Sequence, residues 1–235
     1  EEQDLFPFIG TEDGDEQMDL ADVPDVVPML ALKNSVLFPT IVIPINIGRD
    51  ASIKAINAAA ESHKMVAVFS QKEVKIEEPA GEDLYEIGTL ASILKMLRMP
   101  DGSLTAVLRG RQRVRRKLLS QADPYLEGEV SLLDYQPPSE PLAFKATMDS
   151  VRDNARRAVE LSPNIPTEAQ VMLDNITAPS HLLNFISSNL NNEVKEKQAL
   201  LATDDLGKKA ERVLIELQRE LRLLELRDQI ETKTR

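Results

Sequence analysis

Short apolar runs bounded by Pro and Gly dominate the chain from residue 26 to residue 138, and they predict β-strands. Residues 27–32 and 40–47 are two such runs, and each contains a proline, Pro28 and Pro44 respectively. Proline cannot donate a ladder hydrogen bond, so both prolines are expected at strand starts, edges or bulges.

The same region continues with one helix and a long hairpin. Ile53, Ile56 and Ala60 recur at helical spacing and predict a helix over residues 51–63. The turn sequence of residues 100–103 predicts a hairpin between the strands on either side of it. Further strands are predicted at residues 65–69, 84–99, 104–108, 114–119 and 125–135. The pattern favours a mostly antiparallel sheet or a small barrel.

After a proline-rich linker at residues 136–141, the pattern becomes helical. Helices are predicted over residues 142–161, from 167, from 179 to 190, over 193–202 and over 206–234. In the last helix, Leu214, Leu217, Leu221 and Leu224 are spaced 3, 4 and 3 residues apart. This stripe is too short to identify a coiled coil, and it is expected to pack on the preceding helices.

Charge separates the first residues from the rest. The net charge is −11, and residues 1–27 hold ten acidic residues without Lys or Arg. Such a segment is expected to be a disordered arm, or alternatively a docking peptide through its one apolar knot, residues 5–9. The predicted domains are an acidic arm at 1–25, a β-rich domain at 26–137, and a helical bundle with the start of a long helix at 140–235.

Composition excludes several classes of protein. The sequence has no cysteine, which excludes disulfides, thiolate metal sites and a Cys nucleophile and favours a reducing, cytoplasmic location. No apolar run reaches the roughly 18–20 residues of a membrane span, so no membrane partner is expected. The first residue is not Met and the last residues are charged and helix-like, so the chain is expected to be part of a longer protein.

Catalytic motifs are missing from the sequence. None of the nine glycines begins a phosphate-binding loop, and the elbow motif of serine hydrolases is absent. The two histidines, His63 and His181, lie far apart without a carboxylate pattern typical of metal sites. We therefore predict no catalytic, cofactor-binding or metal-binding residue in this chain.

One basic cluster lies between residues 109 and 117. In a strand, Arg109, Arg111, Arg113 and Arg115 would share one face and could contact phosphates or an acidic partner. No aromatic residue is interleaved with them, as a single-strand binding surface usually requires. A solvated or internally paired face is the main interpretation, and contact with nucleic acid or an acidic protein stays open.

The order of several short motifs resembles the N-terminal region of the ATP-dependent Lon proteases. The motifs are residues 28–39 (PMLALKNSVLFP), 44–49 (PINIGR), 52–53, 70–72, 84–91 (LYEIGTLA), 100–103 (PDGS), the Gly-x-x-Arg element at 110–113, 161–166 and 197–201. The resemblance covers about residues 26–235, and the acidic arm finds no counterpart in it.

This resemblance implies an α+β fold: a β-rich domain of the pseudouridine-synthase-and-archaeosine-transglycosylase (PUA) kind with one or two short helices, then an all-α bundle that ends in a long helix. It implies that this region captures unfolded, misfolded or degron-bearing proteins and helps to assemble a hexamer. The parent would be an ATP-dependent serine endopeptidase that uses ATP and magnesium and a Ser-Lys dyad, and that degrades misfolded and short-lived regulatory proteins. This chain would carry neither activity.

Capture of unfolded protein requires exposed apolar surface. Leu32, Val36, Leu37, Phe38 and Pro39 are the predicted substrate-binding residues, with residues 36–39 as the exposed part. Ordinary core packing is the alternative for the same residues. Two other functions stay open: a stand-alone adaptor with a Lon-type N-terminal domain, and a nucleic-acid-binding module that uses residues 109–117.

Overall fold

The computed structural model describes residues 8–9, 23–162, 165 and 167–234. The chain divides into two compact units, one of residues 1–134 with 193–202 and one of residues 135–192 with 203–235. The predicted acidic arm, residues 1–25, lies mostly outside the described residues. The domain boundaries given by the sequence stay a prediction, and the structure adds that residues 193–202 group with the sheet.

The first unit is built on one mixed sheet. Its strands are β1 (Phe8–Ile9), β2 (Val27–Leu32), β3 (Ile41–Ile47), β4 (Met65–Ser70), β5 (Ile87–Arg98), β6 (Leu104–Gln121) and β7 (Glu127–Leu133). The strand order is β1-β3-β6-β5-β4-β2-β7, and β7 also pairs with β6. Five strands therefore close on themselves, while β3 and β1 extend from β6. The predicted β-rich class is confirmed.

The core of this unit lies on both faces of the sheet. One cluster joins apolar residues of β2, β4 and β6 to the helix α1 (Asp50–Glu61), whose Ile56 and Ala59 are fully buried. A second cluster surrounds Phe69, Leu90 and Val114. The parallel pairing of β2 with β4 requires a crossover connection, and α1 lies in that connection and packs on both strands.

The long hairpin of β5 and β6 turns at residues 99–103, as the sequence predicts. Gly102 has φ +87°, a conformation that favours glycine. The Asp101 carboxylate accepts hydrogen bonds from the backbone N–H and the hydroxyl of Ser103, at 2.9 and 2.6 Å. Register shifts occur between Leu90 and Ala91 and between Ile93 and Lys95, and they reverse which side chains share a face.

The second unit is helical, which confirms the predicted second half of the fold. It contains α2 (Pro141–Leu161), α3 (Thr167–Asn175), α4 (Pro179–Asn189) and α6 (Leu206–Thr234). Leu217 and Leu221 of α6 are buried, and α6 packs on α2 and α4. The buried Lys209 ammonium donates to Asn184 Oδ1 at 2.6 Å and to the Tyr135 hydroxyl at 2.8 Å.

Helix α5 (Val194–Ala202) packs on β5 in the first unit. The Gln198 side-chain amide donates to the carbonyl of Ile87 at 2.7 Å. The Arg113 guanidinium donates to the carbonyl of Leu201 at 3.1 Å and to that of Asp134 at 3.0 Å. These bonds hold α5 and the end of the β-rich segment on the sheet.

Candidate functional site: a groove beside strand β3

A groove of 1080 Å³ opens in the first unit beside β3. The end of β2 and residues 33–35 form one side, and β3 with the start of α1 forms the other. The lining residues are Leu30, Ala31, Leu32, Lys33, Asn34, Ser35, Ile43, Pro44, Ile45, Asn46, Ile47, Gly48, Arg49, Ser52, Glu77 and Thr105. The groove is large enough to accept several side chains of a peptide.

Strand β3 supplies the apolar part of the groove. Side chains alternate along a strand, so Ile43, Ile45 and Ile47 share one face. Ile47 is buried, whereas Ile43 and Ile45 are only partly buried and Pro44 is exposed. The sequence-based expectation that Pro44 lies at an edge agrees with the pairing, because β6 is the partner of β3 along Val42–Ile47 on one side only.

The other edge of β3 is nearly free. Strand β1 pairs there with Ile41 and Val42. Among the residues that the structure describes, no strand pairs with that edge between Ile43 and Ile47. Backbone groups at a free edge can bind an added extended chain, and the apolar side chains beside them can select it.

Polar contacts brace the rim of the groove. The Arg49 guanidinium donates to Gln71 Oε1 at 2.7 Å, to the carbonyl of Ala31 at 2.9 Å and to that of Glu77 at 3.1 Å. Burial lowers the pKa of Arg49, and the nearby Glu77 charge opposes that shift. The Lys33 ammonium lies 2.7 Å from the Glu77 carboxylate, and this hydrogen bond lowers the pKa of Glu77. Arg49 and Lys33 therefore fix the groove's shape.

A second group of exposed apolar side chains lies on the hairpin. Leu97 of β5 pairs with Thr105, which pairs with Asn46 of β3, so Leu97 shares the sheet face of Asn46 and lies on the face opposite to Ile43 and Ile45. Leu97 and Met99 are each 44% exposed, and Leu94, which lies at a register shift, is 50% exposed. Large apolar side chains at this exposure are a feature of binding surfaces when they are contiguous. We call Leu94, Leu97 and Met99 the hairpin patch.

The predicted exposure of residues 36–39 is wrong. Val36, Leu37 and Phe38 are between 0% and 6% exposed, and Pro39 is also buried. The Ser70 hydroxyl donates to the carbonyl of Ser35 and the Thr89 hydroxyl to that of Leu37, both at 2.6 Å, so the segment is fixed on the sheet. Of the five predicted substrate-binding residues, only Leu32 lines the groove, and it is 4% exposed.

The Gly-x-x-Arg element, residues 110–113, is part of this anchorage. A Cβ at Gly110 would lie 2.2 Å from the carbonyl oxygen of Phe38, so the close approach requires glycine. Arg113 is 1% exposed and holds α5, as described above. The motif therefore has a structural explanation in this chain.

The expectation that four arginines share one face is also wrong. Thr89 pairs with Arg113, but Ser92, which points to the opposite face from Thr89, pairs with Arg109. The intervening register shift leaves Arg111 without a partner in β5. Arg115 is exposed and lies 3.4 Å from the Glu86 carboxylate. The bulge thus separates Arg109 from Arg113 and Arg115, and internal contacts account for Arg113 and Arg115.

The groove has the chemistry of a binding site. Partly buried aliphatic side chains, a strand edge that is unpaired over the described residues 43–47 and a polar rim can hold an extended peptide. Within the described ranges, no cluster of three or more His, Cys, Asp or Glu side chains could hold a metal ion. The described helices include none that is both long and apolar enough to cross a membrane.

One feature of the sequence indicates this site. Pro44 within the apolar run 41–47 indicates an edge strand, whose partners are incomplete. The sequence also indicates the hairpin patch, because apolar residues occupy both faces of β5 next to its turn.

Comparisons with known proteins identify relatives of the chain. A family model described as the ATP-dependent protease La (LON) substrate-binding domain matches residues 26–219. The chain is 41% identical over 235 residues to the Lon protease of Flavobacterium johnsoniae, and this alignment covers 100% of the chain and 29% of that protein. It is 35% identical over 231 residues to the Lon protease of Cytophaga hutchinsonii, covering 98% of the chain and 28% of that protein.

Solved structures agree on the fold. The N-terminal domain of a Mycobacterium avium complex Lon protease matches with a TM-score of 0.67 at 21% identity, over 82% of this chain and 98% of that one. A Lon N-terminal domain protein from Xanthomonas campestris matches with a TM-score of 0.53 at 18% identity, over 81% of this chain and 97% of that one.

The chain spans less than a third of the length of the Lon proteases named above. The family model, in contrast, covers most of the chain and both its sheet and its helices. The resemblance seen in the sequence is therefore confirmed, and the chain belongs to the family of Lon substrate-binding domains.

Proposed function

We propose that this chain is the substrate-recognition region of an ATP-dependent serine protease, and that it captures unfolded or degron-bearing segments through the groove and the hairpin patch. The observation that carries the proposal is a groove lined by the partly buried Ile43 and Ile45, beside a strand edge that is unpaired from Ile43 to Ile47 among the described residues, in a member of the Lon substrate-binding family. A folded protein seldom offers an extended apolar segment to such an edge, whereas an unfolded one does.

The energetics of this surface suit transient capture. Full burial of an isoleucine contributes roughly 1.5–3 kcal/mol, and Ile43 and Ile45 are already partly buried. A few such contacts, with short backbone pairing, give the modest affinity that a segment needs if it is to be passed on. The polar lining residues include Lys33, Arg49 and Glu77, and these three contact one another or the protein backbone at the rim. The apolar contacts of the groove would therefore accept a broad range of apolar segments.

The proposal extends to the parent protein. The Lon proteases named above are far longer than this chain, and the family description includes ATP dependence. By that relationship the parent would hydrolyse ATP with magnesium, cleave misfolded and short-lived regulatory proteins with a Ser-Lys dyad, act as a homohexamer and work in the cytoplasm. This chain would supply substrate binding and help to organise the assembly.

The groove is tested with a double variant, Ile43→Ser and Ile45→Ser. Binding of fluorescently labelled, reduced and carboxymethylated α-lactalbumin to the 235-residue chain is measured by anisotropy. We expect affinity to fall about tenfold, since about 1.4 kcal/mol of lost apolar contact corresponds to that factor. Circular dichroism checks that the variant is folded.

A matched control removes an apolar side chain that does not line the groove. Leu118 lies on β6 in the same unit and is 79% exposed. Leu118→Ser should leave the affinity unchanged. Equal affinity of a folded groove variant and the unchanged chain would exclude the groove as the capture site.

The hairpin patch is tested separately with Leu97→Ser and Met99→Ser. We expect a smaller loss of affinity, about threefold, because neither side chain lines the groove and Leu97 lies on the sheet face opposite to Ile43 and Ile45. If the hairpin variant loses more affinity than the groove variant, the patch is the main capture surface and the groove is secondary.

A further inference from the structure

Strand β1 shows what lies at the β3 edge beside the groove. Phe8 pairs with Val42 and Ile9 pairs with Ile41, in antiparallel orientation. β1 therefore runs along the one edge of β3 that β6 leaves open. β1 belongs to the acidic arm at the start of the chain. From the sequence, this arm is expected to be either disordered or a docking peptide.

The register of β1 points along β3 toward the groove. In an antiparallel pair, a step back along one strand is a step forward along the other. If the pairing continued in the same register beyond the described residues of β1, Pro7 would lie opposite Ile43, Phe6 opposite Pro44 and Leu5 opposite Ile45. Directly opposite residues have Cβ atoms about 4.5–5.5 Å apart. The three β3 positions reached in this way all line the groove.

The composition of the arm distinguishes residues 5–9 from the residues around them. Leu5, Phe6, Pro7, Phe8 and Ile9 are consecutive, with Glu1, Glu2 and Asp4 before them and Glu12 and Asp13 shortly after. Ionised carboxylates resist burial, whereas the apolar run gains by leaving water. The length of the apolar run matches the stretch of β3 from Ile41 to Ile45.

We propose that residues 5–9 of the chain's own arm occupy the β3 edge and the adjoining groove, and that they compete there with substrate. This inference rests on the proposed function, because the arm matters as a competitor only if the groove binds substrate. The arm acts as a tethered pseudosubstrate: an apolar extended segment, of the kind that the groove accepts, supplied by the protein itself.

Two prolines keep this contact weak enough to be displaced. Pro7 in the arm and Pro44 in β3 cannot donate ladder hydrogen bonds. Hydrogen-bonded pairs alternate in an antiparallel ladder, so one of the two adjacent pairs, Pro7 with Ile43 or Phe6 with Pro44, would be the bonded pair and would lack a donor. Apolar side-chain contact would then supply much of the attraction.

The tether favours the chain's own arm over that of a second copy. Residues 9 and 23 are joined by 14 residue steps, which span at most roughly 45–50 Å when extended. A short tether gives an effective concentration of the order of millimolar, which exceeds the concentration of a second copy in a dilute assay. Occupancy by a second copy predicts concentration-dependent dimers, and the test includes that outcome.

The experiment compares the 235-residue chain with a variant that lacks residues 1–10. Affinity for labelled, carboxymethylated α-lactalbumin should rise about tenfold after the deletion, as expected if the arm occupies the groove about nine-tenths of the time. Leu5→Ser with Phe6→Ser in the intact chain should give a similar rise. A deletion of residues 12–19, which removes acidic residues and keeps the apolar run, is the matched control and should leave affinity within about twofold.

A synthetic peptide of residues 1–12 provides the second measurement. It should bind the chain that lacks residues 1–10 and displace the labelled substrate, and Ile43→Ser with Ile45→Ser should abolish its binding. Unchanged substrate affinity after the deletion, with groove variants still defective, overturns the inference and leaves the proposed function intact. Groove variants that bind substrate normally overturn the groove as the capture site, whatever the arm does. Concentration-dependent dimers that the Leu5 and Phe6 substitutions dissolve overturn occupancy by the chain's own arm.

Discussion

Two apolar segments of the first unit lie only a few residues apart and have opposite environments. Residues 36–39 are buried, and the backbone just before and within them accepts bonds from the Ser70 and Thr89 hydroxyls. Residues 43–45 lie on β3, one edge of which is mostly unpaired among the described residues; Pro44 is exposed, and Ile43 and Ile45 are partly buried. The first segment stabilises the sheet, and the second is available to a ligand.

The contrast arises from neighbours in space rather than from hydrophobicity. Both segments are rich in large aliphatic or aromatic residues. Residues 36–39 pack where Gly110 allows the close approach of their backbone. β3 lies beyond the closed ring of strands, and in the described part of the chain only β1 pairs with its outer side, at Ile41 and Val42. Position in the sheet therefore explains why residues 43–45 are less buried than residues 36–39.

Truncation of the buried segment should have the largest effect on stability. Phe38 is fully buried, and Phe38→Ala is expected to lower the free energy of unfolding by about 3–5 kcal/mol through lost contacts and a cavity. Urea denaturation followed by circular dichroism measures the change. A folded variant with a loss below about 1 kcal/mol, together with weak substrate binding, would restore Phe38 as a direct binding residue.

A similar contrast separates two arginines of β6. Arg113 donates to two backbone carbonyls from a buried position, whereas Arg115 is exposed and forms a surface ion pair. Arg113→Ala should lower the free energy of unfolding by about 2–4 kcal/mol. Each carbonyl that loses a buried hydrogen-bond partner costs about 1–3 kcal/mol, and Arg113 has two such partners. Arg115→Ala should change stability by less than about 1 kcal/mol.

Thermal and urea unfolding of the two arginine variants provide the measurement. Hydrogen exchange of α5 gives a second readout, since Arg113 binds the carbonyl of Leu201. Arg113→Ala should expose α5 amides to faster exchange, and Arg115→Ala should not. Equal effects of the two substitutions would contradict the structural role assigned to Arg113 and the surface position of Arg115.

The local elements of the fold followed from the sequence. Apolar alternation, Gly102 and the residues around it predicted the hairpin, and helical spacing predicted α1. The register shift at Arg111 could not be predicted, because a bulge depends on pairing with β5 rather than on local preference. One such shift reverses the faces of all later residues in the strand. The alternate spacing of the arginines therefore predicted one shared face, which the structure does not have.

The burial of residues 36–39 could not be predicted from the sequence, for a related reason. The partners of residues 36–39 include Thr89 and Gly110, which are more than fifty residues away in the chain. No local property of the sequence reports such contacts. Pro44, in contrast, indicated an edge from its own chemistry, and that inference agrees with the structure.

A polar substitution in the open segment should separate binding from stability. Ile45 is partly buried and packs against the core cluster, so Ile45→Ser is expected to lower the free energy of unfolding by about 1–2 kcal/mol, less than Phe38→Ala. Affinity for carboxymethylated α-lactalbumin should nevertheless fall several-fold. Unfolding and anisotropy measured on the same sample give both values. A large loss of stability would show that Ile45 belongs with the buried segment rather than with the open one.

The smallest expected effect concerns the turn that supports the hairpin patch. The hydrogen bonds from the Ser103 side chain and backbone hold the pKa of Asp101 below its ordinary value of 3.8. A carboxyl group with a lowered folded-state pKa stabilises the fold above its ordinary pKa, and that contribution disappears as pH falls through the folded-state pKa. The turn should therefore loosen only in acid, well below neutral pH.

An NMR titration of the Asp101 carboxyl group tests this sign. Ser103→Ala removes the first and largest cause of the shift, so the midpoint should move up toward the ordinary value. Asp101→Asn should remove the local pH dependence and leave the core of the first unit unchanged, because the group is at the hairpin tip. Since Leu97 and Met99 flank this turn, the same variants should alter substrate binding only slightly at neutral pH. A midpoint at or above the ordinary value in the unchanged chain would contradict the hydrogen-bonded turn.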